Sequence, residues 1–140
     1  MLDHVQVEVL GVDALTNRDG QEKPCVVLRD SRMRQLVIFL GDCEATAIGS
    51  VVDGRIAERP STHDTSLRML ELAGATLDRV MITEALDDSY FATAELTTRE
   101  RTEEFSLRPG DAVALALRAK CPIYVSDHII ADNALETVSS

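Results

Sequence analysis

The sequence predicts a single α+β domain, residues 1–140, in which helices cover a mainly antiparallel sheet. Three observations lead to this fold class. Several short runs alternate apolar with polar residues, as Val5, Val7 and Val9 do near the N-terminus. Other segments place apolar residues at helical spacing between turn-forming residues. A pattern of strand, turn, strand, loop and helix also occurs twice, and two such units can pack their helices against one common sheet.

The predicted strands are short apolar runs that end at polar or turn-forming residues. After the N-terminal strand and a polar loop, they lie at 25–30, 35–41, 79–86, 89–97, 103–107 and 121–125. A charged tip joins 25–30 to 35–41, and another joins 89–97 to 103–107. Each of these two pairs is therefore predicted to form a β-hairpin.

Three helices are predicted from apolar residues that recur at a period near 3.6. They run between Asp42 and Gly54, between Thr62 and Gly74, and over 111–119 after a Pro-Gly pair. Asp42 and Thr62 are of the types that cap helix N-termini, so we expect them to cap the first two helices. Beyond Ser126 we expect one helical turn and then a tail that frays from about residue 132.

The repeated pattern predicts an internal duplication of a hairpin-plus-helix unit. A shift that places Glu44 on Asp111 also places residues 25–52 on residues 92–119 without a gap. The same shift aligns Leu40 with Leu107. Since the identities are few and rich in alanine, chance similarity is the alternative explanation. The shared order of elements favours duplication.

Composition limits both the core and the partners. Hydrophobic residues make up 45% of the chain and aromatic residues only 4%, so the core is expected to be aliphatic. The formal net charge of −10 repels polyanions at long range. Any contact with nucleic acid must therefore use a local basic patch or a bridging cation.

The cysteines and the N-terminus indicate where the protein resides. Cys25, Cys43 and Cys121 are far apart and show no metal-ligand spacing, so we expect three reduced, unligated thiols. The first residues alternate like a strand and lack the basic start of a signal peptide. No apolar run approaches the ~18 residues of a membrane span. These features predict a cytoplasmic protein without a membrane partner.

Acidic residues at predicted helix starts are the first candidate site residues. Glu44, Asp64 and Asp111 each lie at such a position. One interpretation is that each carboxylate complements the positive end of its helix. The other is that they flank one cleft and hold a divalent cation such as Mg²⁺ or Mn²⁺. Asp87 and Asp88, at a predicted turn, form a further and more diffuse acidic group.

Basic residues beside these acids are the second set. His63 could act as a general base near neutral pH, or could simply bind a neighbouring loop. Arg59 and Arg108 each precede a proline, which holds them in an extended approach. An arginine held in this way can bind a phosphate, or an internal carboxylate such as Asp64 or Asp111. Motifs of the P-loop, GxGxxG, HExxH and GxSxG types are absent.

Taken together, the motifs resemble the bifunctional nuclease (BFN) domain family of bacteria and plants. The segments that carry the resemblance are, in chain order, PCVVLRD, QLVIFLGDCEA, ERPSTHD, RVMITEA, SYFATAEL, LRPGDAVALALR and CPIYV. They cover roughly residues 24–125. The segments around RPSTHD and RPGDAVALALR are the most specific. The resemblance implies a compact α+β fold, a homodimer, and nuclease activity on RNA and DNA.

The resemblance also implies a set of site residues. Position by position they are Glu44, Arg59, Thr62, His63, Asp64, Arg108 and Asp111. We expect catalytic roles for His63, Asp64 and Asp111. Substrate contacts are expected from Arg59, Thr62 and Arg108, and cation contacts from Glu44, Asp64 and Asp111. The chain departs from the family pattern at two positions, where Ser106 replaces a common Asp and Gly110 a common Ser.

Two hypotheses for function follow. In the first, the protein hydrolyses phosphodiester bonds with the help of a metal, and nucleic acid binds at a local site. In the second, it is a non-catalytic dimeric module that binds a protein or a small ligand. The same residues would then form a buried polar network that fixes the helix–loop junctions.

Overall fold

The structure is a computed structural model that describes residues 3–55, 59–86 and 89–134. The strands are β1 (His4–Thr16), β2 (Glu22–Asp30), β3 (Gln35–Phe39), β4 (Thr76–Leu86), β5 (Ser89–Thr97), β6 (Thr102–Leu107) and β7 (Ile123–Ser126). The helices are α1 (Asp42–Val52), α2 (Thr62–Leu72), α3 (Pro109–Ala119) and α4 (Asp127–Asn133). Asp87 and Asp88 lie outside the described residues, so the acidic group predicted there stays a prediction.

The seven strands form one sheet in the order β3-β2-β1-β7-β4-β5-β6. Every neighbouring pair is antiparallel except β4 and β7, which are parallel. The central strand β7 therefore separates β1-β2-β3 from β4-β5-β6, and these groups run in opposite directions. Helix α1 packs on β1 and β2, helix α3 packs on β4 and β5, and the two helices pack against each other. The predicted α+β class with a mainly antiparallel sheet is confirmed.

The two halves repeat the same elements in the same order, as the duplication predicts. We call residues 25–52 the first unit and residues 92–119 the second unit. The predicted shift carries the bounds of β2 onto those of β5, and the bounds of α1 onto those of α3. Opposite strand directions on either side of β7 give the units an approximate two-fold relation within the sheet.

The hairpins of the two units differ in register by one residue. Cys25 pairs with Phe39, and the shifted pair would be Ala92 with Ser106, but Ala92 pairs with Leu107. In the first hairpin the turn hydrogen bond runs from the Asp30 N–H to the Arg34 carbonyl and encloses three residues, one of them the left-handed Met33. In the second hairpin the turn bond, from Thr98 to Arg101, encloses two residues. The extra residue in the first turn accounts for the shift.

The core is aliphatic, as the composition predicts. Its largest fully buried apolar side chains are Leu28, Leu36, Ile48, Ile82, Ile129, Ile130, Val26, Val80, Val113 and Val125. Each such side chain contributes about 1.5–3 kcal/mol on burial. Helix α3 is the most central helix, because residues 112–116 are all buried. The side chains at its two ends are therefore held on a rigid support.

The helix caps differ from the prediction by one residue. Gly41, not Asp42, is the N-cap of α1, and Ser61, not Thr62, is the N-cap of α2. Ser61 Oγ accepts the Asp64 N–H at 3.2 Å, while the Asp64 carboxylate accepts the Ser61 N–H at 2.7 Å. This reciprocal pair is a capping box, which satisfies two otherwise unpaired N–H groups. As a result His63 and Asp64 are the second and third residues of α2.

The C-terminal region and the cysteines complete the fold. The turn predicted after Ser126 is longer than expected, since α4 extends to Asn133. The sequence predicts a tail that frays from about residue 132, but residues 132 and 133 are helical, and residues 135–140 lie outside the described residues. Cys25, Cys43 and Cys121 are unpaired, and burial raises the pKa of the Cys25 and Cys121 thiols. Within the described ranges, no helix has both the length and the apolar character needed to cross a membrane.

Candidate functional site

An open cleft of about 1510 Å³ lies between α1, α2, α3 and the end of β6. It is lined by all seven of the predicted site residues, which are Glu44, Arg59, Thr62, His63, Asp64, Arg108 and Asp111. The first hairpin-plus-helix unit supplies Glu44, the second supplies Arg108 and Asp111, and α2 with the loop before it supplies the rest. The site therefore depends on the packing of α1 against α3 and on the position of α2.

The three acids occupy the same position on three different helices. Glu44, Asp64 and Asp111 are each the third residue of their helix. Glu44 accepts the N–H of its N-cap residue Gly41 at 3.0 Å, and Asp64 makes the corresponding bond within α2. The Asp111 carboxylate instead binds two side chains, that of His63 on α2 and that of its own N-cap residue Arg108. Helix capping therefore accounts for the first two acids, and Asp111 has a different role.

His63 and Asp111 form a hydrogen-bonded pair between α2 and α3. His63 Nε2 lies 2.8 Å from Asp111 Oδ1, and His63 is buried. A carboxylate can only accept, so Nε2 carries the proton and Nδ1 keeps a free lone pair in the neutral ring. Nδ1 has no hydrogen-bond partner among the described residues and is not a fully buried atom. The pair can therefore take a proton from a group bound in the cleft.

Arg108 connects the acids of the two units. Its Nε donates to Asp111 Oδ2 at 2.9 Å, and its Nη2 lies 3.4 Å from Glu44 Oε1. Burial raises the pKa of Asp111, but hydrogen bonds from His63 and Arg108 outweigh this effect and hold the pKa below its usual value. The Arg108 side chain is 75% exposed. It can therefore still offer N–H groups to an anion in the cleft.

Arg118 is a site residue that the sequence analysis missed. Its side chain is buried, and its Nε donates to Asp64 Oδ1 at 2.6 Å while Nη1 donates to the Ala114 carbonyl at 3.0 Å. The hydrogen bond from the Ser61 N–H is the main reason that the pKa of Asp64 is lowered, and Arg118 adds to it. Helical spacing could have identified Arg118 as a site residue, because it follows Asp111 by two helical turns and lies on the same face of α3.

Arg59 and Thr62 lie at the edge of the cleft rather than in this network. Both are exposed, and Arg59 makes no hydrogen bond or ion pair with another described residue. Arg55 also lines the cleft, where it pairs with Asp53 at 3.1 Å, and sequence reasoning did not single it out. The cleft thus has an arginine-rich rim in an otherwise acidic chain.

The predicted cation ligands do not form a three-ligand site. Arg108 lies between Glu44 and Asp111, and Asp64 is turned toward Arg118. Across residues 3–55, 59–86 and 89–134, no group of three His, Cys, Asp or Glu side chains is arranged to hold a metal ion. Arginine side chains and backbone N–H groups already bind these three carboxylates, and the chemistry proposed below uses no metal.

The two departures from the family pattern have different surroundings. A Cβ atom at Gly110 would lie 2.6 Å from Glu44 Oε2 and 2.9 Å from Leu40 Cδ2, so Glu44 occupies the space that a side chain would need. Ser106 is exposed and alternates with Phe105 and Leu107, which line the cleft. An acid at 106 would therefore point away from the cleft.

Comparison with known proteins gives one family. The model of the bifunctional nuclease domain matches residues 26–137. An uncharacterized protein of Mycobacterium tuberculosis is 32% identical over 131 residues, which are 93% of this chain and 76% of that protein.

Two plant relatives carry the family name. Bifunctional nuclease 1 of Oryza sativa subsp. japonica is 34% identical over 83 residues, 57% of this chain and 25% of the rice protein. Bifunctional nuclease 1 of Arabidopsis thaliana is 28% identical over 127 residues, 87% of this chain and 39% of the plant protein. The matched part is therefore well under half of each plant nuclease.

Proposed function

Because the chain belongs to the bifunctional nuclease domain family, we propose that it cleaves phosphodiester bonds of RNA, DNA or both in the cleft between α2 and α3. The observation that carries this proposal is the His63–Asp111 pair, which opens on the cleft beside an exposed arginine. Such a reaction uses a base, a group that orients the base, and a positively charged side chain that binds the phosphate.

In the proposed reaction His63 Nδ1 accepts a proton from the attacking hydroxyl group, whose oxygen bonds to phosphorus as the bond from phosphorus to the leaving sugar oxygen breaks. Water in the open cleft protonates the leaving oxygen. The attacking group is water, or in RNA the neighbouring 2′-hydroxyl. Asp111 holds the ring in the tautomer that leaves Nδ1 free, and its negative charge stabilises the imidazolium that forms. Since the pKa of Asp111 lies below its usual value, Asp111 remains ionised while His63 takes the proton. A positioned base of this kind contributes roughly 10²–10⁴-fold in rate.

Arg108 and Arg59 are the proposed phosphate contacts. Arg108 is already oriented by Asp111 and Glu44, and its exposed side chain borders the position where His63 acts. Arg59 has no acidic partner among the described residues, so its charge is available to a ligand. Charge-assisted contacts from arginine stabilise the negative charge that develops on a phosphoryl group. Asp64 acts indirectly, because it holds the start of α2 in place.

The test is a cleavage assay on RNA and on DNA, with Mg²⁺, with Mn²⁺ and with chelator. His63→Ala should lower the rate by about 10²–10⁴-fold in whichever condition supports activity. His128→Ala is the matched control, because His128 is exposed on α4 and does not line the cleft, and it should cleave at the wild-type rate. Wild-type protein that never cleaves, or His63→Ala that cleaves normally, would overturn the proposal.

The second candidate function is the non-catalytic binding module. It is favoured by one observation, that Glu44, Asp64 and Asp111 all have hydrogen-bond partners within the protein. In that case Asp64→Asn would lower stability by about 1.5–3 kcal/mol at most, the worth of a hydrogen bond to a charged group, because the Asp64 side chain is 41% exposed. Because Asp64 holds the start of α2 under either function, melting curves of Asp64→Asn and His63→Ala report only structural roles, and the cleavage assay on wild-type protein separates the two functions.

The proposed assembly is a homodimer in the cytoplasm. Helix α2 presents Met69 and Leu72 to solvent, with 66% and 70% of each residue exposed, and apolar surface of this kind is typical of subunit interfaces. The three unpaired cysteines favour a reducing compartment. Light scattering at micromolar concentration tests the assembly, and a monomer there would contradict it.

A further inference from the structure

We propose that Phe105 is a stacking platform for the base of an unpaired nucleotide, beside the arginines that would hold its phosphate. This proposal rests on the proposed nuclease function and names the substrate class that the cleft selects, a single-stranded nucleic acid. An aromatic side chain can stack on any base whose face is free, whereas bases within a duplex have both faces covered.

The first observation is the position of Phe105. It lies on β6, the edge strand of the sheet, and lines the cleft on the same strand face as Leu107. Among the described residues that line the cleft, it is the only Phe, Tyr or Trp. The side chain is 39% exposed, so part of its ring surface is open to a ligand.

The second observation is the equivalent position in the first unit. The shift that relates the units places Ile38 at the position of Phe105, and Ile38 is only 3% exposed. Strand β3 is in contact with helix α4. Strand β6 instead borders the cleft. The same fold position is therefore an aliphatic core residue in one unit and an exposed aromatic residue in the other.

The third observation is charge. Phe105 precedes Arg108 by three residues, roughly 10 Å of extended chain, and both line the cleft. Arg59 lies on the opposite side, next to α2. A nucleotide has an apolar base joined to a negative phosphate, and this surface offers an apolar ring followed by exposed guanidinium groups. In a chain with a net charge of −10, stacking also supplies affinity that long-range electrostatics does not.

The test measures binding with and without bases. Fluorescence anisotropy is recorded with a short oligothymidylate that has phosphorothioate linkages, which resist cleavage, and with an abasic oligonucleotide of the same length and charge. Phe105→Leu keeps an apolar side chain but removes the ring. It should weaken binding of the oligothymidylate by about 5- to 150-fold and leave binding of the abasic strand unchanged.

Phe91→Leu is the matched control. Phe91 is 47% exposed on β5 and does not line the cleft, so this variant should bind both oligonucleotides like wild type. Melting temperatures should be unchanged in both variants, since both side chains are exposed. Cleavage of an ordinary single strand should fall in Phe105→Leu, and wild type should cleave a single strand faster than the matched duplex.

The outcomes separate this inference from the nuclease proposal. If wild type cleaves single strands but Phe105→Leu binds and cleaves them equally well, the stacking site is wrong and the nuclease proposal stands. If binding depends on both Phe105 and the bases but no condition gives cleavage, the stacking site is supported and the nuclease proposal fails. If Phe105→Leu lowers the oligomeric state in light scattering, Phe105 belongs to a subunit interface and the stacking site is overturned.

Discussion

The two units share an order of elements but differ in what their matched residues do. In the first unit Glu44 turns back to Gly41, Ile38 is buried, and α4 packs against the outer strand. In the second unit Asp111 reaches His63, and Phe105 is exposed in the cleft. Both units border the cleft, but at these matched positions the residues of the first unit serve the fold and those of the second carry the proposed chemistry.

The difference arises at the residue that precedes each helix. The first unit has Gly41 as its N-cap, which offers only its backbone N–H to the acid three residues later. The second has Arg108, whose guanidinium binds Asp111. With an arginine beside it and a histidine opposite, Asp111 is drawn away from its own helix end. A repeated scaffold can therefore use one carboxylate to cap its helix and the other to orient the proposed base.

The largest expected effect separates these two carboxylates. Asp111→Asn should lower the cleavage rate by about 10²–10⁴-fold, because His63 and Arg108 bind different oxygens of Asp111 and asparagine replaces one of these oxygens with an NH2 donor. Glu44→Ala should change the rate by no more than about fivefold, since the ion pair that it removes joins Glu44 to an arginine side chain that is 75% exposed and is worth about 1 kcal/mol or less. It should instead cost about 1–2 kcal/mol of stability through the lost cap. Cleavage rates and melting curves of both variants would be compared, and equal loss of rate would contradict the division of roles.

The second prediction compares the matched apolar residues. Ile38→Ala should lower the free energy of unfolding by about 2–5 kcal/mol, because Ile38 is 3% exposed and its removal leaves a cavity. Phe105→Ala should cost about 1 kcal/mol or less, since its side chain is already part exposed. Urea denaturation measures both values. Equal losses in the free energy of unfolding would show that Phe105 on β6 is packed as tightly as Ile38 on β3.

The third prediction concerns the first hairpin and its pH dependence. Asp30, with 1% of its side chain exposed, accepts the Arg34 Nε at 2.7 Å and two backbone N–H groups. Burial raises the pKa of Asp30, but these hydrogen bonds, chiefly from Arg34, outweigh it and hold the pKa below the usual 3.8. A lowered folded-state pKa gives stability that is present above the unfolded pKa and is lost as the pH falls through the lower folded value.

Asp30→Asn should therefore cost about 1.5–3 kcal/mol near neutral pH, the worth of a hydrogen bond to a charged group. The difference from wild type should shrink as the pH falls below about 4. Thr93→Val is the control, because the buried Thr93 hydroxyl has no hydrogen-bond partner among the described residues and the change alters no charge. The slope of its stability against pH should match that of wild type.

The smallest effect is expected at Gly110. Gly110→Ala should cost about 1 kcal/mol, because the new Cβ would displace the Glu44 carboxylate from the Gly41 N–H. Cys43 occupies the matched position in the first unit and is exposed, so Cys43→Ala should leave the melting temperature unchanged. If Gly110→Ala leaves the free energy of unfolding unchanged, the Glu44 side chain can move aside without cost.

The sequence predicted the secondary structure and the residues of the site better than the hydrogen bonds between those residues. Alternation and helical spacing are local, so they gave the strands, the helices and the gapless repeat. The family resemblance predicted His63 and Asp111 as site residues, and the structure brings both to one cleft. The hydrogen bond from Arg118 to Asp64 joins residues on different helices. Local periodicity gives no information about the distance between two helices, so this bond could not be predicted. The one-residue differences in the caps and in the hairpin register arise from backbone geometry that many residue types allow.

The hydrogen bonds of α2 have a consequence for heat resistance. Among the described residues of α2 only His63 is buried. Two side-chain hydrogen bonds join α2 to α3, from His63 to Asp111 near the start of α3 and from Arg118 near its end to Asp64. Segments with little buried apolar surface open locally at a lower free energy than the core. The proposed base thus belongs to a weakly anchored part of the molecule. On warming, the site would come apart while the sheet remained folded, so that inactivation would precede unfolding.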